Sequence, residues 1–307
     1  MKKIKIGVVG LGNLGRACVK IIREREAEFD LVAIFSRRPL PGTVPLEQID
    51  DYRGKIDVML ICVGSSTDAP KIVPQIARNF STVDSYDTHA ELDNYITSIR
   101  RNCSSKNVSI VGTGWDPGLF SLLRIYFDAF LYNTTAETFW GRGVSLGHTN
   151  AVKEIPGVTD AIQFTVPKPD AVAAVKSGRT VRPMEKHKRV CYVVAPIDKH
   201  TEIERAIKTM PNYFDGYDTE VTFVNQSDFN RRFRGRTDHG GMVLASDGTS
   251  RAEFKLALKS NPHFTACVMV AYAIAAHQLK AQGRTGVFTV ADIAPRYLAQ
   301  TDLLHKI

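Results

Sequence analysis

Cysteine is scarce in this sequence: there are five among 307 residues, and no two form a CxxC pair. An odd, scattered set excludes a disulfide framework, and the lack of zinc-type Cys and His spacing excludes a structural metal site. No apolar run reaches the roughly 18 residues of a membrane span. The longest candidate, residues 266–279, contains His277 and is typical of a core helix. Glycines also interrupt any signal-peptide core near residue 10, so we expect a cytoplasmic protein.

Long basic tails, helix-turn-helix patterns and aromatic RNA-binding motifs are also missing. The net charge is nevertheless +8, with a pI of about 9.2. The basic residues form short, dispersed clusters, which favours small anionic ligands over nucleic acid or membranes, with a solvated basic surface as the simpler explanation. Hydrophobic residues make up 44% of the chain and charged residues 23%, as in globular proteins. The length predicts two domains or one large one.

The first third of the chain alternates short apolar runs with helical periodicity, the pattern of an α/β doubly wound sheet. Strands are predicted at Ile4–Val9, 31–35, 58–63, 82–84 and 108–111. The first and third of these runs are rich in aliphatic residues, as buried parallel strands are. We therefore predict a Rossmann-type parallel sheet over residues 1–117.

Beyond residue 130 the pattern favours strands, with fewer helices between them. Strands are predicted at 135–140, 162–166, 190–194, 221–224 and 253–259, and the last alternates apolar with charged residues. Such alternation indicates a mixed or antiparallel sheet with one face exposed to solvent. We predict an α+β domain at 118–263, whose sheet either covers a ligand cleft or forms a dimer interface. The segment from about 264 to 307 should pack on the first domain, because its apolar helix needs a large partner surface.

A glycine-rich motif, G-x-G-x-x-G, follows the first predicted strand and opens a predicted helix. In that context it predicts a dinucleotide site, formed by Gly10, Gly12, Asn13, Leu14 and Gly15. The N-terminus of the helix supplies free N–H groups for the pyrophosphate.

The end of the second predicted strand distinguishes the two nicotinamide cofactors. NAD-binding chains usually carry an acid there, whereas this chain has Ser36, Arg37 and Arg38. Because arginine pairs bidentately with phosphate, we predict NADP rather than NAD. The third strand ends at Gly64, Ser65 and Ser66, which either contact the cofactor or only form a turn and a helix cap.

Several short motifs recur in the order found in one enzyme family. They are Phe-Ser-Arg-Arg at 35–38, Val-Asp-Ser-Tyr-Asp at 83–87, Thr-Gly-Trp-Asp-Pro-Gly at 113–118, Phe-Trp-Gly at 139–141, His-Lys-Arg at 187–189, His-Gly-Gly at 239–241 and Asn-Pro-His-Phe-Thr at 261–265. The chain thereby resembles the meso-diaminopimelate dehydrogenases over nearly its whole length. The resemblance implies a homodimer that uses NADP. It also implies oxidation of the D-configured amino carbon of meso-2,6-diaminopimelate to L-2-amino-6-oxopimelate and ammonia, reversibly, in lysine and cell-wall precursor synthesis.

A substrate with two ammonium and two carboxylate groups needs acids for the amines and bases for the carboxylates. By resemblance, Asp87 and Asp116 hold the reacting D-centre, while Ser85 and Tyr86 line the cofactor site and Trp115 the substrate site. The two acids can also tune the amine and position water. Without the resemblance, Asp116 before Pro117 is a helix cap and Asp87 belongs to an Asx turn.

The resemblance places the rest of the substrate site in the second domain. Trp140 forms an aromatic wall, although a lone Trp is more often a core residue. The distant L-configured end is held by Thr165, Arg189, His239 and Asn261, with Leu146 and Gly147 in a loop that lines the pocket. Leu146 departs from the polar residue common in the family. The alternative for Arg189 is a solvated basic run, and the basic stretch 231–236 has no family counterpart.

Two other functions stay open from the residues alone. One is a different two-domain NADP enzyme, such as a sugar oxidoreductase or a dihydrodipicolinate-reductase-like enzyme. The expected Lys-Pro pair of the first and the His/Lys motif of the second are not found in register. The other is a non-enzymatic NADP-binding sensor, which would keep the glycine loop and arginines but need no matched acids and bases.

Overall fold

The structure is a computed structural model that describes residues 2–65 and 67–299. It contains two compact units. Unit 1 comprises Met1–Leu122 and Pro262–Ile307, and unit 2 comprises Leu123–Asn261. The sequence analysis places the boundaries near residues 117 and 264, a few residues from these.

The described residues form strands and helices that we number in chain order. The strands are β1 (Ile4–Val9), β2 (Phe29–Ser36), β3 (Val44–Pro45), β4 (Val58–Ile61), β5 (Ser81–Asp84), β6 (Val108–Val111), β7 (Glu137–Trp140), β8 (Gly143–Val144), β9 (Asp160–Pro167), β10 (His187–Val194), β11 (Asp218–Phe223), β12 (His239–Ser246), β13 (Arg251–Leu258) and β14 (Gly286–Thr289). The α-helices are α1 (Asn13–Glu24), α2 (Ala69–Ile76), α3 (Leu92–Asn102), α4 (Leu119–Phe130), α5 (Leu146–Lys153), α6 (Pro169–Lys176), α7 (His200–Lys208), α8 (Gln226–Phe233) and α9 (Asn261–Ala281).

Unit 1 contains a seven-stranded parallel sheet in the order β14-β6-β5-β4-β1-β2-β3. The strand order reverses between β1 and β4, which is where ligands bind in doubly wound sheets, beyond the carboxyl ends of the strands. The carboxyl ends of all seven strands lie at the same edge. The predicted Rossmann-type fold is confirmed.

Both faces of this sheet are buried, because alternate residues of β1 and β4 pack in opposite directions. Val58 and Leu60 pack in a cluster with α1 and α9, while Met59 and Ile61 pack in a second cluster with α2 and α3. The central strands therefore need apolar residues at nearly every position, which is why they are visible in the sequence.

Helix α9 lies in the first of these clusters, where the sequence analysis expects it, with Met269, Ala273 and Ile274 fully buried. It is 21 residues long and, by length and composition alone, could cross a membrane. That corrects the expectation that no apolar run is long enough. Half of its apolar window is buried within the protein, as in the core helix of a soluble protein. Residues 300–307 lie outside the described residues.

Unit 2 contains two sheets. One is mixed, in the order β11-β10-β9-β8, and the other is antiparallel, in the order β13-β12-β7. In the mixed sheet Phe164 and Val190 face a cluster that includes α8, whereas Ala161 and Cys191 face one that includes α7. The predicted mixed or antiparallel sheet is confirmed.

The basic stretch 231–236 has a structural role. The guanidinium of Arg232 lies 5.1 Å from the ring centroid of Tyr192, and that of Arg236 lies 4.9 Å from the ring of Phe164. Arg236 also forms a bidentate pair with Asp238, at 2.8 and 2.6 Å. These side chains cover the aromatic face of the mixed sheet.

Candidate active site

The glycine motif forms the turn between β1 and α1. Gly10 has a φ of +93°, and its N–H donates to the carbonyl of Phe35 at 2.8 Å. A Cβ on Gly15 would lie 1.9 Å from the oxygen of Gly10, so only glycine lets the helix approach the turn. Gly12 has open space where a side chain would project. The following helix starts at Asn13 and has no acid in its first turn, which suits an anionic ligand.

A cavity of about 400 Å³ lies beside this turn. The ends of three neighbouring strands line it: Gly10 and Gly12 follow β1, Ser36 ends β2 and the two arginines follow it, and Gly64 follows β4. Leu14 lies half-buried at the start of α1, against the core. The sequence motifs from three separate strands thus meet in one cavity, as the parallel order requires.

An acid that the sequence analysis missed faces the predicted phosphate-binding arginines. Arg37 donates two hydrogen bonds to the carboxylate of Asp68, at 2.9 and 2.6 Å, and this pairing raises the pKa of Arg37. The N–H of Arg38 donates to Ser36 Oγ at 3.1 Å, which fixes the turn after β2. Both arginine side chains are exposed to solvent. Asp68 directly precedes α2, and the sequence analysis assigned it no role.

The end of β4 supports the glycine turn. The N–H of Cys62 donates to the carbonyl of Val9 at 2.7 Å, and a Cβ on Gly10 would meet the oxygen of Cys62. Gly64 is exposed and Ser65 is half-buried. Ser66, also predicted to contact the cofactor, lies outside the described residues.

The loop after β5 carries one exposed and one buried acid. Asp87 is exposed and makes no hydrogen bond with another described residue. It is Asp84 that accepts the N–H of Tyr86, at 3.0 Å, so the Asx turn considered for Asp87 lies three residues earlier. Tyr86 stacks on Tyr95 with ring centroids 3.9 Å apart, and Ser85 is half-buried. Burial raises the pKa of Asp84 to about 6.

The loop after β6 lies beside the loop after β5, because Thr113 donates through both its N–H and its hydroxyl to the carbonyl of Asp84, each at 2.9 Å. Trp115 is buried edge-on against Phe120, and Asp116 is half-buried. Helix α4 begins only at Leu119, so the prediction that Asp-Pro opens a helix is wrong. A tight turn, closed by the N–H of Gly114 and the carbonyl of Pro117 at 2.9 Å, precedes the helix instead.

In unit 2, Arg189 is a buried cation on β10. Its side chain donates to Thr165 Oγ1 at 2.7 Å and lies over the ring of Tyr217 at 4.4 Å. Only 7% of Arg189 is exposed, its Nε has no partner, and no described carboxylate forms an ion pair with it. Burial lowers its pKa. The alternative of a solvated basic run is excluded for this residue.

Trp140 belongs to the other sheet but contacts the strand that carries Arg189. Its backbone N–H donates to Nε2 of His187 at 2.8 Å, and its indole stacks on that imidazole with centroids 5.4 Å apart. His187 and Arg189 are two residues apart on β10 and so share a face. The indole therefore lies on the same side of the sheet as the guanidinium.

Backbone contacts connect the segment at Thr165 with the segments that carry His239 and Asn261. In β8, Gly143 pairs with Thr165 of β9. The backbone N–H of Val144, the next residue of β8, donates to the carbonyl of Asp238, which precedes His239 in sequence. Burial lowers the pKa of His239, which favours its neutral form. The N–H of Asn261 donates to the carbonyl of Thr237 at 3.1 Å, two residues from His239 in sequence.

Leu146 and Gly147, the first residues of α5, are both exposed. Gln163 is buried near Thr165, to which its amide donates at 3.4 Å, and its Oε1 has no hydrogen-bond partner among the described residues. His148 bonds Ser145 at 2.8 Å, and burial, with Arg189 nearby, lowers its pKa to about 4. The sequence analysis missed both residues. A polar residue inside an otherwise apolar strand was the available signal for Gln163.

Residues 114–260 match the family described as "Diaminopimelic acid dehydrogenase C-terminal domain". The meso-diaminopimelate D-dehydrogenase of Corynebacterium glutamicum is 39% identical over 99% of this chain and 98% of its own. The enzyme of the same name from Lysinibacillus sphaericus is 43% identical over 95% of this chain and 94% of its own.

Solved structures agree with this result. The C. glutamicum DAP dehydrogenase in complex with DAP superposes with a TM-score of 0.92 at 39% identity, covering 99% of this chain and 98% of the other. An engineered D-amino acid dehydrogenase bound to NADP+ superposes with a TM-score of 0.87 at 38% identity, covering 98% of each chain.

Proposed function

Since this chain belongs to the meso-diaminopimelate D-dehydrogenase family, we propose how its residues divide the work of that reaction. The enzyme oxidises the D-configured amino carbon of meso-2,6-diaminopimelate with NADP. A hydride leaves the carbon, the amine loses a proton, and water hydrolyses the resulting imine to L-2-amino-6-oxopimelate and ammonia. The other two-domain NADP enzymes and the NADP-binding sensor are not favoured.

The residues of unit 1 fit NADP. The turn at Gly10 and Gly12 leaves open space at the start of α1 for the pyrophosphate. Arg37 and Arg38 line the same cavity and supply the positive charge for the 2′-phosphate. When bound, the nicotinamide accepts the hydride, so the reaction needs no protein nucleophile.

We propose that Asp87 and Asp116 act at the reacting amine. The amine must be neutral before the carbon that bears it can release a hydride, so a carboxylate that takes the proton of the amine promotes the reaction. Both acids lie in loops at the carboxyl edge of the parallel sheet, and the loops are joined through Thr113 and Asp84. Helix α4 begins three residues after Asp116, at Leu119.

The distant carboxylate of the substrate fits unit 2. The observation that supports this is the buried guanidinium of Arg189, which has no acid partner among the described residues. A buried charge is normally paired, so an anionic ligand is the missing counter-charge. Thr165 accepts a hydrogen bond from Arg189, which leaves its hydroxyl proton for the same carboxylate. His239, Asn261 and the start of α5 complete this end of the site.

We also propose a cytoplasmic homodimer. Apolar side chains in and just after α4 are exposed, including Phe130 at 78% and Tyr132 at 87%, and a second copy of the chain would cover them. Light scattering at micromolar protein should give twice the mass of the 34.0 kDa chain. A monomer mass would contradict the dimer and leave the reaction assignment intact.

The test of the proposed reaction is NADP reduction with meso-, D,D- and L,L-diaminopimelate in parallel. We expect rapid reduction with the meso isomer and none with the L,L isomer, which has no D-centre. Reduction of NADP by the L,L isomer at a comparable rate would contradict the assignment.

A further inference from the structure

Lys186, which directly precedes β10, and His187, its first residue, both contact β7, although β7 and β10 belong to different sheets. Lys186 forms an ion pair with Glu137 at one end of β7. His187 accepts the backbone N–H of Trp140 at the other end, at 2.8 Å. Side chains rather than a strand ladder therefore join the antiparallel sheet to the mixed sheet at this point.

The imidazole of His187 is suited to a permanent acceptor role. It is 1% exposed, and burial, with the positive charges of Arg189 and Lys186, lowers its pKa to about 3. The ring is therefore neutral throughout the physiological range, and Nε2 carries a lone pair toward the N–H of Trp140. The tautomer with hydrogen on Nδ1 is the one that this bond requires.

The same ring also fixes the indole. The two rings are stacked, with an interplanar angle of 27°. Beyond Trp140 the chain is held again, because the N–H of Gly141 donates to the carbonyl of Gly240 at 2.7 Å. A Cβ on Gly141 would lie 2.0 Å from the oxygen of Thr165, so this backbone lies directly against the strand that carries the carboxylate-binding hydroxyl.

We propose that His187 is a positioning residue that sets the distance between the indole of Trp140 and the guanidinium of Arg189, which binds the distant carboxylate of the substrate. The inference rests on the proposed function of those two residues. His187 and Arg189 are two positions apart on β10 and are therefore about 6.6 Å apart along the strand. This spacing is on the scale of the methylene chain between the two ends of a diaminopimelate-like substrate. Through this contact the chain selects a substrate by its length as well as its charges.

Two variants distinguish the role of His187 as a hydrogen-bond acceptor from its role as a ring stacked on the indole. His187→Phe keeps a ring of similar volume and loses the acceptor, whereas His187→Gln keeps an acceptor and loses the ring. We expect His187→Phe to raise the KM for meso-diaminopimelate at least tenfold, with the NADP Kd unchanged, and His187→Gln to stay within about threefold of wild type. A folded His187→Phe enzyme with a wild-type KM overturns the proposal.

The fluorescence emission of Trp140 reports the surroundings of the indole in the folded protein and does not change merely because a variant is less stable. The chain has two tryptophans, so Trp115→Phe leaves Trp140 as the single emitter. Adding His187→Phe or His187→Gln in that background should shift the emission of Trp140, because the first removes the acceptor of its backbone N–H and the second removes the ring that stacks on its indole. Equal emission in all three proteins contradicts the proposal.

A measurement on the unmodified protein applies if the variants do not fold. The backbone amide of Trp140 should exchange its hydrogen slowly, because its acceptor is a buried imidazole. Exchange at the rate of an exposed loop overturns the proposal. If the wild-type enzyme shows the slow exchange but does not oxidise meso-diaminopimelate, the proposed function fails and the contact of His187 stands.

Discussion

Replacing Arg189 with methionine should weaken substrate binding without lowering the stability of the protein, and this combination tests the proposed substrate site. Methionine keeps most of the side-chain volume and removes the guanidinium, so the variant loses a charge-assisted grip on the distant carboxylate. Such a bond contributes about 1.5–3 kcal/mol, which corresponds to roughly a 10- to 150-fold rise in KM. Because this end of the substrate is held equally before and during hydride transfer, kcat should fall much less.

Stability should behave in the opposite way. Breaking a buried ion pair costs about 3–5 kcal/mol, because it leaves a charge unpaired. Arg189 has no acid partner among the described residues, so its removal leaves no buried carboxylate unpaired. The variant loses the bond to Thr165 and the contact with Tyr217, worth about 1 kcal/mol each, and escapes a desolvation penalty of several kcal/mol. We expect a Tm equal to or above that of the wild type.

Steady-state kinetics with meso-diaminopimelate and thermal melts check both effects together. Arg236→Met is the matched control, because that arginine also lies over an aromatic ring, on the opposite face of the same sheet, and is paired with Asp238. Its KM should equal the wild-type value. A lower Tm with an unchanged KM for Arg189→Met would show that the guanidinium serves the fold, and would refute the reasoning.

Three further predictions concern unit 1. Replacing Arg37 and Arg38 together by alanine should narrow the NADP-over-NAD preference at least tenfold in titrations of both cofactors, and an unchanged ratio would contradict the assignment. Asp116→Asn should lower kcat by about 10²-fold with an unchanged Tm, since it removes a proton acceptor; a near-normal kcat would end its catalytic role. Burial raises the folded-state pKa of Asp84 to about 6, so the folded state favours its protonated form and stability is lost as the pH rises through that value. Asp84→Asn should therefore raise Tm at pH 8 more than at pH 5, and a larger gain at pH 5 would be inconsistent with this account.

Local features of the sequence predict the fold of unit 1 well. Strand β1 matches its predicted bounds, and the glycine turn follows from steric rules that act within a few residues. Strand β12 was missed because its first residues are His239, Gly240 and Gly241, which carry no strand pattern. It is a strand because it pairs with β13 and β7 along its length.

The site was predicted less completely, because its missing parts depend on residues distant in sequence. Asp68 meets Arg37 across 31 positions, and His187 meets Trp140 across 47. No short motif encodes either contact. Likewise, the burial that leaves Arg189 without a counter-charge emerges only when β9, β10 and the segment at Tyr217 pack together.

Isotopic labelling tests the central claim, that the hydride comes from the D-configured carbon of meso-diaminopimelate. The substrate is prepared with deuterium at the D-centre or, separately, at the L-centre, and the NADPH formed by the wild-type enzyme is examined by mass spectrometry. The account predicts deuterated NADPH from the D-labelled substrate and unlabelled NADPH from the L-labelled one. Deuterium transferred from the L-centre would contradict it.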